Sequence, residues 1–288
     1  MIDAGLILEG GGMRGIYTAG ALDCFLDEDL LFTHVYGVSA GACHACSYLS
    51  RQRGRAAGTV LDFLSDPRYG SLRNWITTGD YFGADFVYAE VPQRLLPFDF
   101  ETFRNSAQTL FATVTHVESG RAEYRALTDL ARDMDWLRAS ASLPLLSRLV
   151  TIEGRPYLDG GVADAIPLAR SIADGHRRNL LILTRHRGYR KTPANLWPMR
   201  RRYRRYPRFL DALRTRHQRY NDALALADAE AAAGRTLIIQ PQDEMHIGRL
   251  EKDAAKLRAL YELGYADAAA CVRAHPDFFA PSAAKSVR

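Results

Sequence analysis

Two short apolar strands, each followed at once by a glycine-rich turn and a helical run, stand back to back within the first fifty residues, and few folds accommodate that arrangement. Leu6-Ile7-Leu8 leads into Gly10-Gly11-Gly12-Met13-Arg14-Gly15, and His34-Val35-Tyr36 leads into Gly37-Val38-Ser39-Ala40-Gly41. Between them Ile16, Ala19, Leu22 and Leu26 recur near helical spacing. Strand and helical patterns that alternate in this way through most of the chain predict a mostly parallel sheet with helices on both faces. Residues 109–117 form the clearest later strand, and a Glu118-Ser119-Gly120 turn sends the chain into an antiparallel edge strand over 123–127. Residues 180–183 and 236–239 read as further strands.

The second turn has the form of a nucleophile elbow. A serine on a tight strand-to-helix turn needs small neighbours because the backbone is strained and packs closely, and Gly37, Ala40 and Gly41 supply them. The helix that follows directs its positive end at the Ser39 oxygen and favours its anion. The first turn exposes the amides of three consecutive glycines ahead of a helix, a geometry that holds an anion. That anion could be the oxyanion of an acyl intermediate or the pyrophosphate of a dinucleotide, since Gly10, Gly12 and Gly15 also satisfy Gly-X-Gly-X-X-Gly. A dinucleotide site needs its acid at the end of the second strand. Here Asp27, Glu28 and Asp29 end the first helix, and the second strand closes on Val38-Ser39.

A third element is Tyr157-Leu158-Asp159-Gly160-Gly161, reached after residues 149–152 and a Gly154-Arg155-Pro156 turn. It places an aspartate at a strand end, followed by glycines. Upstream, Ala139-Ser140-Ala141-Ser142-Leu143-Pro144 is a run of small residues suited to close packing beneath a site.

In this order the three motifs resemble the patatin-like phospholipase family, in particular its small bacterial members. The resemblance covers roughly residues 5–170 and implies a three-layer α/β/α fold with a mostly parallel central sheet. It further implies a two-member catalytic site: Ser39 as nucleophile and Asp159 as its base, with no histidine between them. The amides of Gly10, Gly11 and Gly12 would form the oxyanion hole. Arg14 matches the basic position of the loop, and Gly15, Gly37, Ala40, Gly41, Gly160 and Gly161 support the motifs. A free carboxyl titrates near about pH 4 and is a weak base for a hydroxyl, so preorganised donors must carry much of the catalysis. By general geometry the Ala40 amide is one more donor. The competing arrangement is a Ser-Asp-His triad with a late histidine, for which His176, His186, His217, His246 and His275 are available and His246 is the first candidate.

With 288 residues, 47% hydrophobic and 25% charged, the chain suffices for one large α/β core. We read a single domain over 1–275 and a flexible tail over 276–288. Leu250, Ala254, Leu257 and Tyr261 line a helix that Gly264 is expected to break. Cys43 and Cys46 fall inside the helix after the elbow, where packing rather than redox or zinc chemistry is expected. No metal or other cofactor is implied. The N-terminus lacks a basic leader and no apolar run reaches membrane-spanning length, and the expectation is a cytoplasmic, membrane-peripheral protein.

Charge is concentrated. Residues 185–219 hold thirteen Lys or Arg against one acid, Asp211, so a chain of net +5 carries +12 there and −7 elsewhere. Its densest part holds Arg200, Arg201, Arg202, Arg204 and Arg205 with interleaved tyrosines, read as an exposed loop ahead of a helix over 208–233. An anionic lipid surface suits it better than nucleic acid, for which no reader fold is evident. The expectation is a serine acyl hydrolase acting on fatty-acyl esters of phospholipid or lysophospholipid. Acyl transfer or thioester cleavage at the same site, and a nucleotide-binding protein built on the glycine loop, are the alternatives.

Overall fold

The computed structural model describes residues 1–280. The chain runs β1 (Ile2–Leu8), α1 (Ile16–Asp27), β2 (Phe32–Val38), α2 (Ala40–Leu49), α3 (Arg55–Leu61), α4 (Leu72–Thr78) and α5 (Phe100–Arg104). There follow β3 (Thr109–His116), β4 (Arg121–Leu127), α6 (Leu130–Ser140), β5 (Val150–Ile152), β6 (Arg155–Asp159), α7 (Leu168–Ala173) and β7 (Asn179–Ile182). The remainder is α8 (Trp197–Arg202), α9 (Pro207–Arg214), α10 (Arg216–Ala232), β8 (Thr236–Ile239), α11 (Ala254–Ala274) and α12 (Pro276–Phe279).

One sheet gathers the strands in the order β5-β6-β3-β2-β1-β7-β8, with β4 also on β3. Pairings from β3 through β2, β1 and β7 to β8 are parallel, while β4 and β6 run antiparallel to β3. The alternation of side chains across a strand divides the core. On β1, Ala4, Leu6 and Leu8 face a large cluster with α1, α2, α6 and α11, whereas Ile7 faces Tyr220, Leu224 and Ala227 of α10. A third cluster joins Val117, Leu158 and Val162 to Tyr203, Phe209 and Leu213. The result is the three-layer α/β/α arrangement anticipated from the motifs.

Several local expectations are corrected. The turn before β6 is made by Glu153 and Gly154, both at positive φ, so Arg155 and Pro156 already belong to the strand. The helix read over 208–233 is two helices divided at Thr215, whose hydroxyl donates to the Asp211 carbonyl at 2.8 Å, a side-chain bond that competes with helix continuation. The segment ahead of it is not simply a loop, because α8 forms there.

Gly264 does not break its helix. It lies inside the 21-residue α11 because α1 crosses there. A Cβ on Gly264 would stand 2.0 Å from the Tyr17 carbonyl, and one on Gly20 would stand 2.0 Å from the Tyr261 carbonyl. Glycine costs about 1 kcal/mol in a helix interior, and the close backbone approach repays it through packing. Of the tail read over 276–288, residues 276–279 form α12, and Phe279 packs in the core against Phe25 and Phe32. Residues 281–288 lie outside the described residues.

Candidate active site

Ser39 and Asp159 meet because two strands share one edge of β3. β4 occupies the opposite edge along nearly its whole length. On the shared edge β2 arrives parallel, with Val38 opposite Thr113, and β6 arrives antiparallel, with Asp159 opposite Val114. Their C-terminal ends therefore abut. Ser39 follows one end and Asp159 closes the other, although 120 positions separate them in sequence.

Ser39 has φ 54° and ψ −125°, a conformation in which a side chain is strained. The strain is held from beneath: the Ser39 amide donates to Ser140 Oγ at 3.0 Å, and that hydroxyl donates to the Thr113 carbonyl at 2.7 Å. Two residues on, the Ser142 carbonyl accepts from the Asp159 amide at 2.9 Å. The run of small residues thus ties both ends together. Ala40 opens α2, whose N-terminus points at the serine. The glycine loop lies close above, and a Cβ on Gly10 would fall 2.8 Å from Ser39 Cβ.

Beside the loop, the Glu9 carboxylate is fully engaged by the Thr184 amide at 2.7 Å, the Thr184 hydroxyl at 3.1 Å and the Tyr220 hydroxyl at 2.8 Å. The Arg249 carbonyl accepts from the Met13 amide at 3.1 Å. Among the described residues, the amides of Gly10 and Gly11 donate to no protein group. Arg14 is buried, not a surface ion pair; it donates to the Ile247 carbonyl at 3.4 Å, and its Nε has no partner.

Asp159 is 2% exposed. Its Oδ1 accepts the Gly161 amide at 2.8 Å, and its Oδ2 is buried without a hydrogen-bond partner. The Ser39 hydroxyl is near enough to favour the ionised carboxylate yet stops short of a hydrogen bond to Oδ2. Burial raises the Asp159 pKa above the usual carboxylate value, against the opposing pull of Arg216, the Ser39 hydroxyl, the Gly161 amide and Arg249.

Two clefts open on Ser39. One is apolar, with Cys43, Tyr88, Val91, Met134, Leu137 and Leu143 among its walls. Both elbow-helix cysteines line it as free thiols, and burial pushes that of Cys43 up to about 12. The other is polar and also holds Gly10, Gly11, Gly12 and Asp159. None of His176, His186, His217, His246 or His275 lines either cleft. His246 sits exposed in a loop over a separate cavity. His44, not weighed from sequence, shares the apolar cleft with Ser39, but burial lowers its pKa to about 4 and keeps it neutral.

The basic segment divides. Arg200, Arg201, Arg202, Arg204 and Arg205 are exposed, and among the described residues none forms an ion pair. Arg185, Lys191 and Arg216 instead turn into the polar cleft, where Arg14 and Arg249 join them. That inward group was hidden in the sequence, because charge density does not reveal direction.

The Patatin-like phospholipase model matches residues 6–171, more than half of the chain and all three motifs. The chain belongs to this family. A further model, a domain of unknown function (DUF6363), matches residues 206–280, the part that carries α9 to α12 and β8. Among curated relatives, the uncharacterized protein YjjU of Escherichia coli is 28% identical over 184 residues, 62% of this chain and 51% of that protein. Lysophospholipase nte1 of Emericella nidulans is 29% identical over 57% of this chain and 11% of its own length. The mouse 1-acylglycerol-3-phosphate O-acyltransferase Pnpla3 is 26% identical over 57% of this chain and 40% of its own length. The chain thus spans about half or less of the curated relatives it matches. Among solved structures, VipD from Legionella pneumophila aligns with 94% of this chain and 67% of its own, at 12% identity and a TM-score of 0.48. Within the patatin-like part, β1 to α7 supply the elbow, the glycine loop and Asp159, while Lys191, Arg216 and Arg249 come from beyond it.

Proposed function

We propose that this patatin-like protein is a serine acyl hydrolase that cleaves fatty-acyl carboxylic esters of lipids through a Ser39–Asp159 dyad. The observation that carries the reading is the pairing of a strained elbow serine with a buried aspartate oxygen, Oδ2, that no other group occupies. Ser39 Oγ attacks the acyl carbonyl as Asp159 Oδ2 takes its proton. The amides of Gly10, Gly11 and Gly12, with that of Ala40, receive the oxyanion, and each such donor contributes about 3 to 4 kcal/mol. Asp159 returns the proton to the leaving alkoxide, then activates the water that releases the acyl group. The apolar cleft takes the acyl chain. No step needs a metal or cofactor.

Reaction with a fluorophosphonate and hydrolysis of a medium-chain p-nitrophenyl ester test this reading. Modification confined to Ser39 is the expected outcome; a protein that neither reacts nor turns over returns the glycine loop to the nucleotide reading. Acyl transfer and thioester cleavage would pass through the same acyl-enzyme, and product analysis with an alcohol acceptor or an acyl thioester separates them.

We further propose that the protein works as a single domain in the cytoplasm, at a bilayer surface. No helix among the described residues is long and apolar enough to cross a membrane. Trp197 at 72%, Ile76 at 78% and Leu72 at 67% exposure are large apolar groups left in solvent. The loop at Leu145 joins α4 to the segment after α8: Trp75 Nε1 donates to the Leu145 carbonyl at 2.7 Å, and the Leu145 amide donates to the Tyr203 hydroxyl at 3.0 Å. Leu143 of that loop lines both clefts. Exposed apolar groups and unpaired arginines suit an anionic interface, where each basic residue contributes about 1 kcal/mol. Retention on anionic but not neutral vesicles is expected, and Arg200, Arg201 and Arg202→Glu together should abolish it; unchanged retention would refute the contact.

A further inference from the structure

The polar cleft at Ser39 concentrates positive charge. Arg14, Arg185, Lys191, Arg216 and Arg249 face it, against the carboxylates of Glu9 and Asp159. Both Glu9 oxygens are already engaged by Thr184 and Tyr220. Among the described residues none of the five cations forms an ion pair, and Arg14 Nε and Arg216 Nε are buried with no acceptor. Unpartnered buried donors are costly, and a group of like charges is costlier still, unless an anion completes them.

We propose that this cleft binds a phosphomonoester dianion, and that the alcohol half of the ester cleaved at Ser39 carries it. The second clause rests on the acyl-hydrolase reading above. Ser39 stands where the two clefts meet, so an ester seated there has its acyl chain among Tyr88, Val91 and Leu137 and its alcohol among the cations. The surplus of positive charge suits a phosphomonoester dianion, whose oxygens accept several charge-assisted hydrogen bonds at once. The same surplus repels an ammonium, so a choline or ethanolamine head group is disfavoured. The electrostatics of the cleft's cations agree with this. Burial, then Arg249, lower Arg216 to about 10; burial, then Arg216 and Arg249, lower Lys191 to about 7. A bound dianion would restore both.

Calorimetry on Ser39→Ala with glycerol 1-phosphate, inorganic phosphate, phosphocholine and glycerol tests the site without turnover. The first two should bind, phosphocholine should bind at least about tenfold more weakly, and glycerol not at all. Arg249→Met and Lys191→Met should each weaken phosphate binding about tenfold, with a cooperative thermal transition in the absence of phosphate confirming that each variant is folded. The source of the phosphate is read from kcat/KM for 1-acylglycerol 3-phosphate over 1-acylglycerol of the same chain. That ratio should exceed about 100 and fall about tenfold in either variant. Absence of phosphate binding overturns the site. Binding with a ratio near one overturns the head-group assignment and leaves a site for free phosphate. Binding in a protein that hydrolyses no ester sinks the acyl-hydrolase reading while the anion site stands.

Discussion

Ser39→Ala is expected to lower ester turnover by at least about 10⁴-fold and to abolish fluorophosphonate labelling, with little change in melting temperature. Ser39→Gly should be equally inactive, yet more stable than the wild type. The reason is the backbone. At φ 54° and ψ −125° a side chain is strained by about 1–3 kcal/mol, and alanine keeps that strain because it keeps a Cβ. Glycine relieves it and loses roughly 0.5–1 kcal/mol to its greater freedom in the unfolded chain. The net gain of about 1 kcal/mol raises the melting temperature of a domain this size by about 2–4 °C. The brace from Ser140 Oγ to the residue 39 amide survives in both variants, since it uses backbone on the elbow side. Retained turnover in either variant would remove Ser39 from the nucleophile's place. A melting temperature that falls in Ser39→Gly would show that the elbow is not strained.

Much of the site was legible because short motifs state local geometry directly. Gly37-Val38-Ser39-Ala40-Gly41 announces a turn that only small neighbours permit, and Asp159-Gly160-Gly161 announces a strand end. That these two face each other was readable only through family resemblance. Physically it depends on β2 and β6 sharing an edge of β3, a long-range pairing that no local pattern encodes. Ser140 illustrates the middle case: the run of small residues signalled close packing, but not that one hydroxyl would tie the elbow amide to the Thr113 carbonyl.

Several misread elements share a cause, which is tertiary contact overriding a local preference. Gly264 has the composition of a helix breaker, and the crossing of α1 keeps it helical. Residues 276–279 carry little periodicity, and Phe279 nevertheless fills a gap beside Phe25 and Phe32. Arg216 belongs to the same class. In sequence it is one of thirteen basic residues in a segment read as facing an anionic lipid surface, and in the fold it opens α10 beneath the candidate active site, close to Gly161. A segment outside the patatin-like match therefore supplies charge to the cleft at Ser39.

That dependence shapes the second large effect. Asp159→Asn is expected to cut kcat by about 10²- to 10⁴-fold, the usual contribution of a positioned general base, while His246→Ala leaves turnover of a neutral p-nitrophenyl ester unchanged. An asparagine retains the acceptor for the Gly161 amide but has no basic oxygen for the serine proton. The pH profile separates a base from a merely structural carboxylate. Turnover needs Asp159 ionised, so the rate should fall as pH drops through its pKa in the folded protein. Burial moves that pKa above the ordinary value, and the acid limb should therefore lie above about pH 4. The groups acting on it besides desolvation are Arg216, the Ser39 hydroxyl, the Gly161 amide and Arg249, all of which favour the ionised form. Removing the strongest of them, by Arg216→Met, should shift the acid limb to higher pH, since the ionised aspartate then loses its main electrostatic support. A limb that stays in place in Arg216→Met, or survives in Asp159→Asn with full kcat, would assign the proton to another group; a shifted limb would identify the Asp159 carboxylate, and the arginine of α10 as the residue that sets its working pH.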